Sequence, residues 1–293
     1  MDSNTYFHEA FSRNLGILTL EEQIRLQKAC IAIAGLGGVG GAHLVALARA
    51  GVGKFHLADF DAFEVVNVNR QYGAKNSTVG RSKLDVLAQE ALDINPYLSI
   101  EKFPEGVTEK NLNKFLDGVD IVIDGLDFFV FDTRRMLFKR AKELGIFVIT
   151  AGPLGFGCAM LVFDPVKSPD FDEYFAANPA MDKLNKIISF ALGLAPKALH
   201  ARYIDLGSVN LARERGPSFG AACFICAGMA TVEAVRIIVG RPGLKPVPYY
   251  VQFDPYKMKL AHGRLFWGNR GPVQTIKRWL SRLKFKERWG KTT

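Results

Sequence analysis

The stretch ACIAIAGLGGVGGAHLVALARAGVGKFHLADFD, residues 29–61, decides the fold of this chain of 293 residues. It begins with the apolar run 31–34, continues with the turn Gly-Leu-Gly-Gly-Val-Gly at 35–40, and then places apolar residues at helical spacing over 44–48. A second apolar run follows at 55–58. The pattern predicts a strand, a glycine turn, a helix and a second strand.

The glycines of this turn are suited to binding a nucleotide. Gly35, Gly37, Gly38 and Gly40 leave room for a tight turn and for phosphate oxygens close to the free N–H groups of the helix. Asp59, nineteen residues after Gly40, follows the second strand, where a carboxylate can bind ribose hydroxyls. A glycine fingerprint alone also fits an ordinary turn, and NAD is the default nucleotide for such a site.

The composition indicates a globular protein without a targeting segment. Hydrophobic residues make up 48% of the chain. The first residues are polar, and no uninterrupted apolar run approaches the ~20 residues of a membrane span. The four cysteines are too few, and their surroundings too apolar, for a secreted disulfide framework, so we expect them to be reduced. A cytoplasmic location is therefore expected.

The positive charge of the chain is concentrated at its C-terminal end. The net charge is +9, and from Lys257 onward there are eleven Lys or Arg residues and one acid, Glu287, which gives this part +10 and the rest −1. All three tryptophans lie in the same part of the chain. The remainder is therefore close to neutral.

Residues 272–289 predict an amphipathic helix within this basic end. Ile276, Trp279, Leu280 and Leu283 fall on one side at helical spacing, and Lys and Arg occupy much of the rest. Cations beside interfacial tryptophans suit an anionic membrane surface, which would make the protein peripheral at the membrane. RNA is a rival partner, and a helix docked on the body or on another subunit with a solvated basic face is the third reading.

Strand and helix patterns alternate along most of the chain, which predicts an α/β fold with a doubly wound, mostly parallel, Rossmann-like sheet. N-terminal helices precede the sheet, and a strand and helix extension follows it. We divide the chain into a helical segment at 1–28, a nucleotide-binding core at 29–163, a crossover and C-terminal part of the same domain at 164–262, and a basic amphipathic tail at 263–293. Within the third part, residues 164–185 are expected to be a mobile crossover that can cover the site.

Polar residues follow the predicted strands at their carboxyl ends, where ligands bind in this class of fold. An irregular polar stretch at 64–71 comes after Asp59, and the buried-type run 119–124 ends in Asp124 and leads to Asp127. Because parallel strands end at one edge of the sheet, the glycine turn, Asp59 and Asp127 are expected to lie close together.

Five motifs occur in a fixed order along the chain. They are the glycine turn, Asp59-x-Asp61, Asn67-x-x-Arg70-Gln71, Val79-Gly80-x-x-Lys83 and Asp124-x-x-Asp127. Together they resemble the ThiF/MoeB family, the ubiquitin-activating-enzyme-like adenylyltransferases, over residues 11–163 and more loosely over 221–239. A plain NAD domain has no reason to carry the last four motifs together. The resemblance implies an enzyme that uses ATP to convert a carboxylate into an acyl-adenylate, with release of pyrophosphate.

The resemblance also assigns the catalytic charges. Arg70 and Lys83 would bind the phosphates and offset the charge that builds up on the leaving pyrophosphate. Asp127 would hold Mg²⁺, a hard ion that takes one or two carboxylates together with phosphate oxygens. Catalysis would then rest on positioning and charge stabilisation, with no covalent enzyme intermediate in this step.

The remaining nucleotide contacts are implied in the same way. Asn67 would hydrogen-bond the triphosphate, and Gln71, in the same motif, is assigned to the nucleotide site. Asp59 would fix the ribose, and Asp61 would support this loop. With the four turn glycines, these residues form the predicted ATP site.

A second subunit completes the site in the family by inserting an arginine from its N-terminal segment, and Arg13 is the candidate here. It lies in Phe-Ser-Arg-Asn at 11–14, where the family has Tyr-x-Arg-Gln. A solvated charge on a helix is the other reading. A homodimer is implied if Arg13 acts in trans.

The cysteines predict neither a zinc site nor a thioester step. Many relatives hold Zn²⁺ with two Cys-x-x-Cys pairs, whereas Cys223 and Cys226 form the only such pair here, and structural zinc needs four ligands. We therefore expect no zinc and interpret these two residues as core thiols at the start of a helix. Cys158 lies in an apolar strand without a basic neighbour that would lower its pKa, which argues against it as a thioester acceptor.

The sequence thus predicts an ATP-dependent adenylyltransferase. Its substrate would be the C-terminus of a ubiquitin-like or sulfur-carrier protein, or another carboxylate. A tRNA-modifying dehydratase of the same family and a non-catalytic nucleotide-binding scaffold are the alternatives.

Overall fold

The structure, a computed structural model, describes residues 1–210 and 213–289. Within these ranges the strands are β1 (Cys30–Ala34), β2 (Lys54–Ala58), β3 (Ser99–Phe103), β4 (Ile121–Asp124), β5 (Phe147–Leu154), β6 (Gly157–Phe163), β7 (Tyr249–Asp254) and β8 (Lys259–Arg264). The α-helices are α1 (Ser3–Ala10), α2 (Leu20–Lys28), α3 (Gly40–Ala50), α4 (Lys83–Ile94), α5 (Leu112–Phe115), α6 (Phe131–Glu143), α7 (Phe171–Phe175), α8 (Lys183–Leu194), α9 (Gly220–Val239) and α10 (Pro272–Trp289).

The strands form one sheet in the order β3-β2-β1-β4-β5-β6-β7-β8. Pairing is parallel from β3 to β5 and antiparallel from β5 to β8. The predicted doubly wound, mostly parallel α/β fold with a C-terminal strand and helix extension is confirmed. In the C-terminal extension, β7 and β8 form an antiparallel pair.

The strand order reverses between β1 and β4, which are neighbours in the sheet. Ala34, the last residue of β1, is level with Ala58 of β2 on one side and with Asp124 of β4 on the other. In doubly wound folds, ligands bind in the crevice at this reversal, outside the carboxyl ends of the strands. The predicted site residues follow these three strand ends.

Apolar side chains on both faces of the sheet form two cores. Ile31 and Ile33 of β1 belong to the core under α3, α4 and α9, whereas Ala32 and Ala34 belong to the core under α6, α7 and α8. All residues of β1 are buried, as expected of a strand covered on both faces. The continuous apolar run in the sequence therefore corresponds to a central strand of the sheet.

The segment 1–28, predicted to be helical, contains α1 and α2. Thr19 caps α2, and a capping box joins its side chain to the N–H of Glu22 while the Glu22 carboxylate accepts from the N–H of Thr19. Gln23 then donates to the carbonyl of Ala50 at the end of α3 at 2.9 Å. This bond ties the N-terminal segment to the sheet domain.

The crossover predicted as a mobile segment over 164–185 is partly packed on the core: residues 168–177 include buried side chains, whereas residues 178–180 are exposed. The prediction is therefore wrong for 168–177. This part contains α7, whose Phe171, Tyr174 and Phe175 are buried, and Arg135 of α6 binds the carboxylate of Asp172 at 2.6 Å. The prolines lie before and after α7, and Asp170 and Asp182 cap α7 and α8. Helix α7 therefore belongs to the layer of α6 and α8.

Helix α9 has the length and apolar composition of a membrane-spanning helix, with a hydropathy of 1.9 over its most apolar window. It nevertheless packs against α3, β5 and β6, and Cys226, Ala230 and Ala234 are fully buried on that side. Glu233 and Arg236 interrupt its apolar sequence. We therefore describe α9 as a core helix with one exposed side.

Candidate nucleotide-binding site

Two glycines of the turn after β1 are required by the fold itself. Gly35 has a φ of +86°, and a Cβ there would lie 2.6 Å from the carbonyl oxygen of Gly125. A Cβ on Gly40 would lie 1.9 Å from the carbonyl oxygen of Gly35. Neither contact is tolerable, so these glycines allow the turn, the start of α3 and the loop after β4 to pack together.

Gly37 has a different role, because the fold leaves room for a side chain there. A Cβ at this position would meet only the Nε2 atom of Gln71, at an ordinary 3.8 Å. At Gly38 the space is tighter, with the Sγ atom of Cys223 at 3.2 Å and the Cγ atom of Arg70 at 3.7 Å. The backbone at Gly37 is therefore open to an approaching group, as a phosphate cradle requires.

The stretch after Asp61 turns Arg70 and Gln71 toward this cradle. Asn67 ends a short 3₁₀ turn, and its carbonyl accepts from the N–H groups of Arg70 at 3.1 Å and Gln71 at 2.9 Å. The Oδ1 atom of Asn67 accepts from the N–H of Glu64 at 2.9 Å. In this structure Asn67 thus shapes the loop, and its predicted bond to a triphosphate stays a prediction.

Arg70 lies beside Gly38 and is held by its own loop. Its Nη1 atom donates to the carbonyl of Val66 and to the Oδ1 atom of Asn69, both at 3.0 Å. The side chain is half-buried, and its Cγ and Cδ atoms are the ones that lie next to Gly38. This position suits the predicted contact with phosphate.

The Gln71 side chain approaches the cradle through its amide nitrogen. Its Oε1 atom is buried and has no hydrogen-bond partner, and its Nε2 atom lies closest to Gly37. A buried amide oxygen without a partner is costly, and a donor on a ligand would satisfy it. The side chain therefore fits the predicted assignment to the nucleotide site.

Asp59 ties the tip of β2 to the glycine turn. Its Oδ2 atom accepts from the N–H of Leu36 at 2.6 Å, and its Oδ1 atom accepts from the N–H of Asp61 at 2.8 Å. Burial raises the pKa of the Asp59 carboxyl, while these two bonds and the charge of Lys83 act in the opposite direction. Asp59 is thus well placed beside the turn, and its contact with ribose stays a prediction.

Lys83 forms an ion pair with Asp61. The Nζ to Oδ2 distance is 2.8 Å, and the Lys83 side chain is only 7% exposed. A cation in the first turn of a helix opposes the helix dipole, and Asp61 supplies the compensating negative charge. Lys83 therefore lies at the tip of β2, next to the carboxylates that support the turn.

The loop after β4 is organised by a buried arginine that the sequence analysis did not identify. Arg134 of α6 donates from Nε to the Oδ2 atom of Asp124 at 2.7 Å, and from Nη2 to the carbonyls of Leu126 at 2.8 Å and Asp127 at 3.0 Å. Its guanidinium also lies over the ring of Phe190 at 4.2 Å. Asp124 and Arg134 together fix the backbone that carries Asp127.

A signal for Arg134 was present in the sequence. It lies three residues after Phe131 and four before Phe138, so helical spacing puts it on the apolar side of the predicted helix. A charged residue in that position needs a buried partner, and Asp124 at the strand end was the available carboxylate.

Asp127 is exposed at the end of this loop. Its Oδ1 atom accepts from the N–H of Phe129 at 3.0 Å, which makes it a backbone cap. Among the residues that the structure describes, no group of three or more His, Cys, Asp or Glu side chains is arranged to hold a metal. A lone exposed carboxylate still fits Mg²⁺ that arrives with a nucleotide, because this ion takes most of its remaining ligands from phosphates and water.

Arg13 does not reach the glycine turn of its own chain. It is exposed in the 3₁₀ turn Ser12–Asn14, and the adjacent Asn14 donates to the carbonyl of Ala50 at 3.3 Å. Ala50 ends α3, whereas the glycine turn begins it, about 15 Å away along the helix. A role for Arg13 in catalysis therefore requires a second subunit.

The cysteine pair of α9 lies in the first two turns of the helix and is buried. Burial raises the pKa of Cys223 to about 11 and that of Cys226 well above its usual value, and Cys226 shares a hydrogen bond with Cys158. Their position matches the interpretation as core thiols at a helix start. That the protein binds no zinc stays a prediction.

Three neighbouring strand ends thus surround one open glycine turn. Arg70 lies against Gly38, Asp59 binds Leu36 and pairs through Asp61 with Lys83, and the Asp127 loop packs on Gly35 through Gly125. Their position at the reversal of the strand order is that of the ligand site in doubly wound, nucleotide-binding α/β domains.

Comparison with known proteins specifies this class. A sequence model described as the ThiF family matches residues 11–266, and the chain belongs to that family. The NAD reading of the glycine turn is thereby replaced. The match ends before α10 begins.

Similar proteins include two enzymes with different named substrates. The chain is 41% identical over 118 residues to the tRNA threonylcarbamoyladenosine dehydratase of Bacillus subtilis, covering 40% of this chain and 46% of that protein. It is 34% identical over 144 residues to the sulfur carrier protein adenylyltransferase of Thermus thermophilus, covering 49% and 50%. The match thus spans about half the length of each relative.

A solved structure supports the fold over a larger part of the chain. Escherichia coli MccB with ATP has a TM-score of 0.65 and 20% identity, and the alignment covers 90% of this chain and 72% of that one. At this level of identity the likeness concerns the fold.

Proposed function

We propose that the protein is an ATP-dependent adenylyltransferase that activates a carboxylate as an acyl-adenylate. The observation that carries this proposal is the open backbone at Gly37, which the amide nitrogen of Gln71 faces and beside which Arg70 lies at Gly38. The fold has room for a Cβ there, so this space is available to a ligand. Family membership supports ATP as that ligand.

In the proposed reaction, charge neutralisation is the main task of the side chains. ATP and a carboxylate repel each other, and the leaving pyrophosphate gains charge as the acyl-adenylate forms. Arg70 and Lys83 would stabilise that charge from two sides of the turn, and Asp59 would hold the ribose. Lys83 would exchange part of its contact with Asp61 for a phosphate oxygen.

Mg²⁺ would be held by Asp127 and would draw electron density from the phosphates. Arg134 contributes indirectly, since its bonds to Asp124 and to the carbonyl of Asp127 keep this carboxylate at the edge of the site. The protein then has no need of a covalent intermediate in this step.

The substrate that we favour is the C-terminus of a small ubiquitin-like or sulfur-carrier protein. The Thermus thermophilus relative is named for a sulfur carrier protein, which supports this choice. The Bacillus subtilis relative supports a second candidate, dehydration of a modified adenosine in tRNA.

We further propose a homodimer in which Arg13 acts on the site of the partner subunit. Arg13 is exposed and lies too far along α3 to serve its own site. The outward side of α9 supports an association of two copies, because Phe224 and Val232 are each more than half exposed and Gly228 between them is bare.

Pyrophosphate exchange tests the proposed function. We expect ATP–pyrophosphate exchange that depends on a carrier protein with a free C-terminal carboxylate and is absent when that carboxylate is amidated. Arg70→Ala should reduce the exchange at least about 100-fold. Arg49→Ala, an exposed arginine at the opposite end of α3, is the matched control and should leave it unchanged.

The alternatives give different results in the same assay. ATP consumption that depends on tRNA containing threonylcarbamoyladenosine, and on no carrier protein, would indicate the dehydratase. ATP binding without exchange for either substrate would indicate a scaffold without turnover.

A further inference from the structure

Helix α10 is docked on the protein through its polar side. Gln274, which is only 2% exposed, donates to the carbonyl of Leu192 at 2.9 Å, and the Nζ atom of Lys277 donates to the carbonyl of Pro196 at 2.8 Å. Both acceptors lie at the end of α8. Burial lowers the pKa of Lys277 and that of Arg278, which shows that part of the basic side faces protein.

The apolar side of α10 faces solvent. Its exposed fractions are 64% for Val273, 57% for Ile276, 60% for Trp279, 52% for Leu280 and 44% for Leu283. We call these five residues the outer stripe. A surface helix of a globular protein ordinarily buries such a stripe, so α10 is docked the opposite way round.

This orientation changes the interpretation of the basic tail. One of the three interpretations was a helix docked on the body with its basic face in solvent. The helix is docked, but the side that faces solvent is the apolar one. Phe266 and Trp267, directly before α10 in sequence, are also exposed, at 59% and 75%. An apolar surface of this extent at the end of one chain indicates a binding surface.

The described charges beside the outer stripe are positive, since Arg282 and Lys284 are exposed on α10. In the sequence, the part of the chain from Lys257 carries +10 with Glu287 as its single acid. The rest of the chain sums to −1. A partner of the outer stripe must therefore offer an apolar region that can bury these side chains, together with negatively charged groups.

We propose that the outer stripe of α10 binds the surface of a bilayer that contains anionic phospholipid. Acyl chains cover Val273, Ile276, Leu280 and Leu283, Trp279 lies at the headgroup level, and the cations contact lipid phosphates. Helix α10 lies in the plane of the interface and does not cross the bilayer.

Two other partners fit the outer stripe less well. A second copy of the chain would bring its own exposed Arg282 and Lys284 against those of the first, which opposes association through this side. RNA phosphates would pair with the cations, and RNA bases would stack on aromatic side chains. RNA has no apolar surface, however, that would cover the aliphatic residues Val273, Ile276, Leu280 and Leu283. A lipid surface satisfies both features.

Vesicle co-sedimentation of the full chain tests this proposal. We expect the protein to sediment with vesicles of phosphatidylcholine mixed with phosphatidylglycerol, and at least about tenfold less with phosphatidylcholine alone. Ile276→Glu with Leu280→Glu should reduce the binding to mixed vesicles by about tenfold or more. Since both positions are exposed, the melting temperature should not change.

Val166→Glu with Lys167→Gln is the matched control, because both positions are exposed in a turn outside α10 and the pair changes the net charge by the same −2. It should bind mixed vesicles as the unmodified protein does. No sedimentation of the unmodified protein with mixed vesicles overturns the proposal, as does undiminished binding of the Ile276→Glu, Leu280→Glu variant.

Two further measurements exclude the rival partners. If that double variant converts an oligomer of the free protein into monomers, the outer stripe joins copies of the chain and the proposal fails. If the double variant loses binding to tRNA while its vesicle binding is unchanged, the partner is RNA and the proposal fails as well.

Discussion

The glycine turn and helix α10 are each incomplete, but in opposite ways. At the turn, the backbone is closely packed, with Gly40 against Gly35. The group without a partner there is polar: it is the amide oxygen of Gln71, close to the half-buried Arg70. At α10, the polar side chains of Gln274 and Lys277 are hydrogen-bonded to the protein, whereas the apolar outer stripe is exposed to solvent. The comparison teaches that the kind of group left without a partner indicates the kind of ligand.

The largest effect is expected at the buried ion pair beneath the Asp127 loop. Arg134→Met leaves the Asp124 carboxylate buried without its ion-pair partner and should lower the free energy of unfolding by about 3–5 kcal/mol. Urea unfolding measures this change. Arg282→Met on α10 removes an exposed arginine 3.9 Å from Asp182, and it should cost less than about 1 kcal/mol. Equal losses in the two variants would contradict the difference in burial.

A slightly smaller effect is expected for a substitution of Asp127 that distinguishes its role as a backbone cap from its proposed catalytic role. Asp127→Asn keeps an oxygen that can accept from the N–H of Phe129 but removes the charge that would hold Mg²⁺. Pyrophosphate exchange should fall about 100- to 1,000-fold, while the free energy of unfolding changes by less than about 0.5 kcal/mol. Vesicle binding should be unaffected, since α10 does not contact this loop. Full exchange activity in Asp127→Asn would remove Asp127 from the reaction.

A buried histidine in α3, the helix that starts at the glycine turn, should make the free energy of unfolding depend on pH. His43 is fully buried in α3 without a hydrogen bond to either ring nitrogen, and burial lowers its pKa from 6.5 to about 4. The unfolded chain then binds the proton more readily, so this contribution is present above pH 6.5 and is lost as the pH falls toward 4. The loss should reach about 2 kcal/mol at pH 5.

Urea unfolding of the unmodified protein and of His43→Leu, at pH 7 and pH 5, measures this contribution. His200, whose pKa burial also lowers to about 4, remains in the variant, so the pH-dependent loss should shrink by about half rather than vanish. An unchanged loss in His43→Leu would show that His43 is not neutral in the folded protein.

A smaller effect tests whether the space at Gly37 serves the ligand. Gly37→Ala should fold with the melting temperature of the unmodified protein, because its Cβ meets only Gln71, at 3.8 Å. ATP binding by isothermal titration calorimetry should weaken by about tenfold, since the methyl group occupies the phosphate cradle. Gly40→Ala is the contrasting variant, and its Cβ at 1.9 Å from a carbonyl oxygen should prevent folding. Unaltered ATP affinity in Gly37→Ala would exclude this position from the site.

The smallest effect is expected on the outer stripe. Leu280→Ser should change the free energy of unfolding by less than about 0.5 kcal/mol, because this leucine is already half exposed in the folded protein. The same substitution at Leu44, which is fully buried, should cost about 3 kcal/mol or more. A large loss of stability in Leu280→Ser would mean that the outer stripe is covered by protein.

Most of the fold could be predicted because its signals are local. The apolar run 31–34, the glycine turn and the Thr19 capping box each specify backbone structure within a few residues. The alternation of such units limits the topology to a doubly wound sheet. The positions of Gly37, Asp59 and Asp127 at one edge then follow from the parallel order of the strands.

The errors and omissions involve contacts between distant parts of the chain. Periodicity shows that Ile276 and Leu280 share a side of α10, but the choice of the docked side depends on carbonyls at the end of α8. The burial of Phe175 in the crossover and the pairing of Arg134 with Asp124 depend in the same way on partners far along the chain. The assignment of individual site residues to ATP contacts stays a prediction.

The bond from Leu36 to Asp59 has a consequence for the timing of ligand binding. Because the carboxylate already holds the glycine turn in shape, the loop loses little conformational freedom when a nucleotide arrives. Such a rigid receptor should capture its ligand in one kinetic phase whose rate rises in proportion to concentration, without a slow rearrangement afterwards.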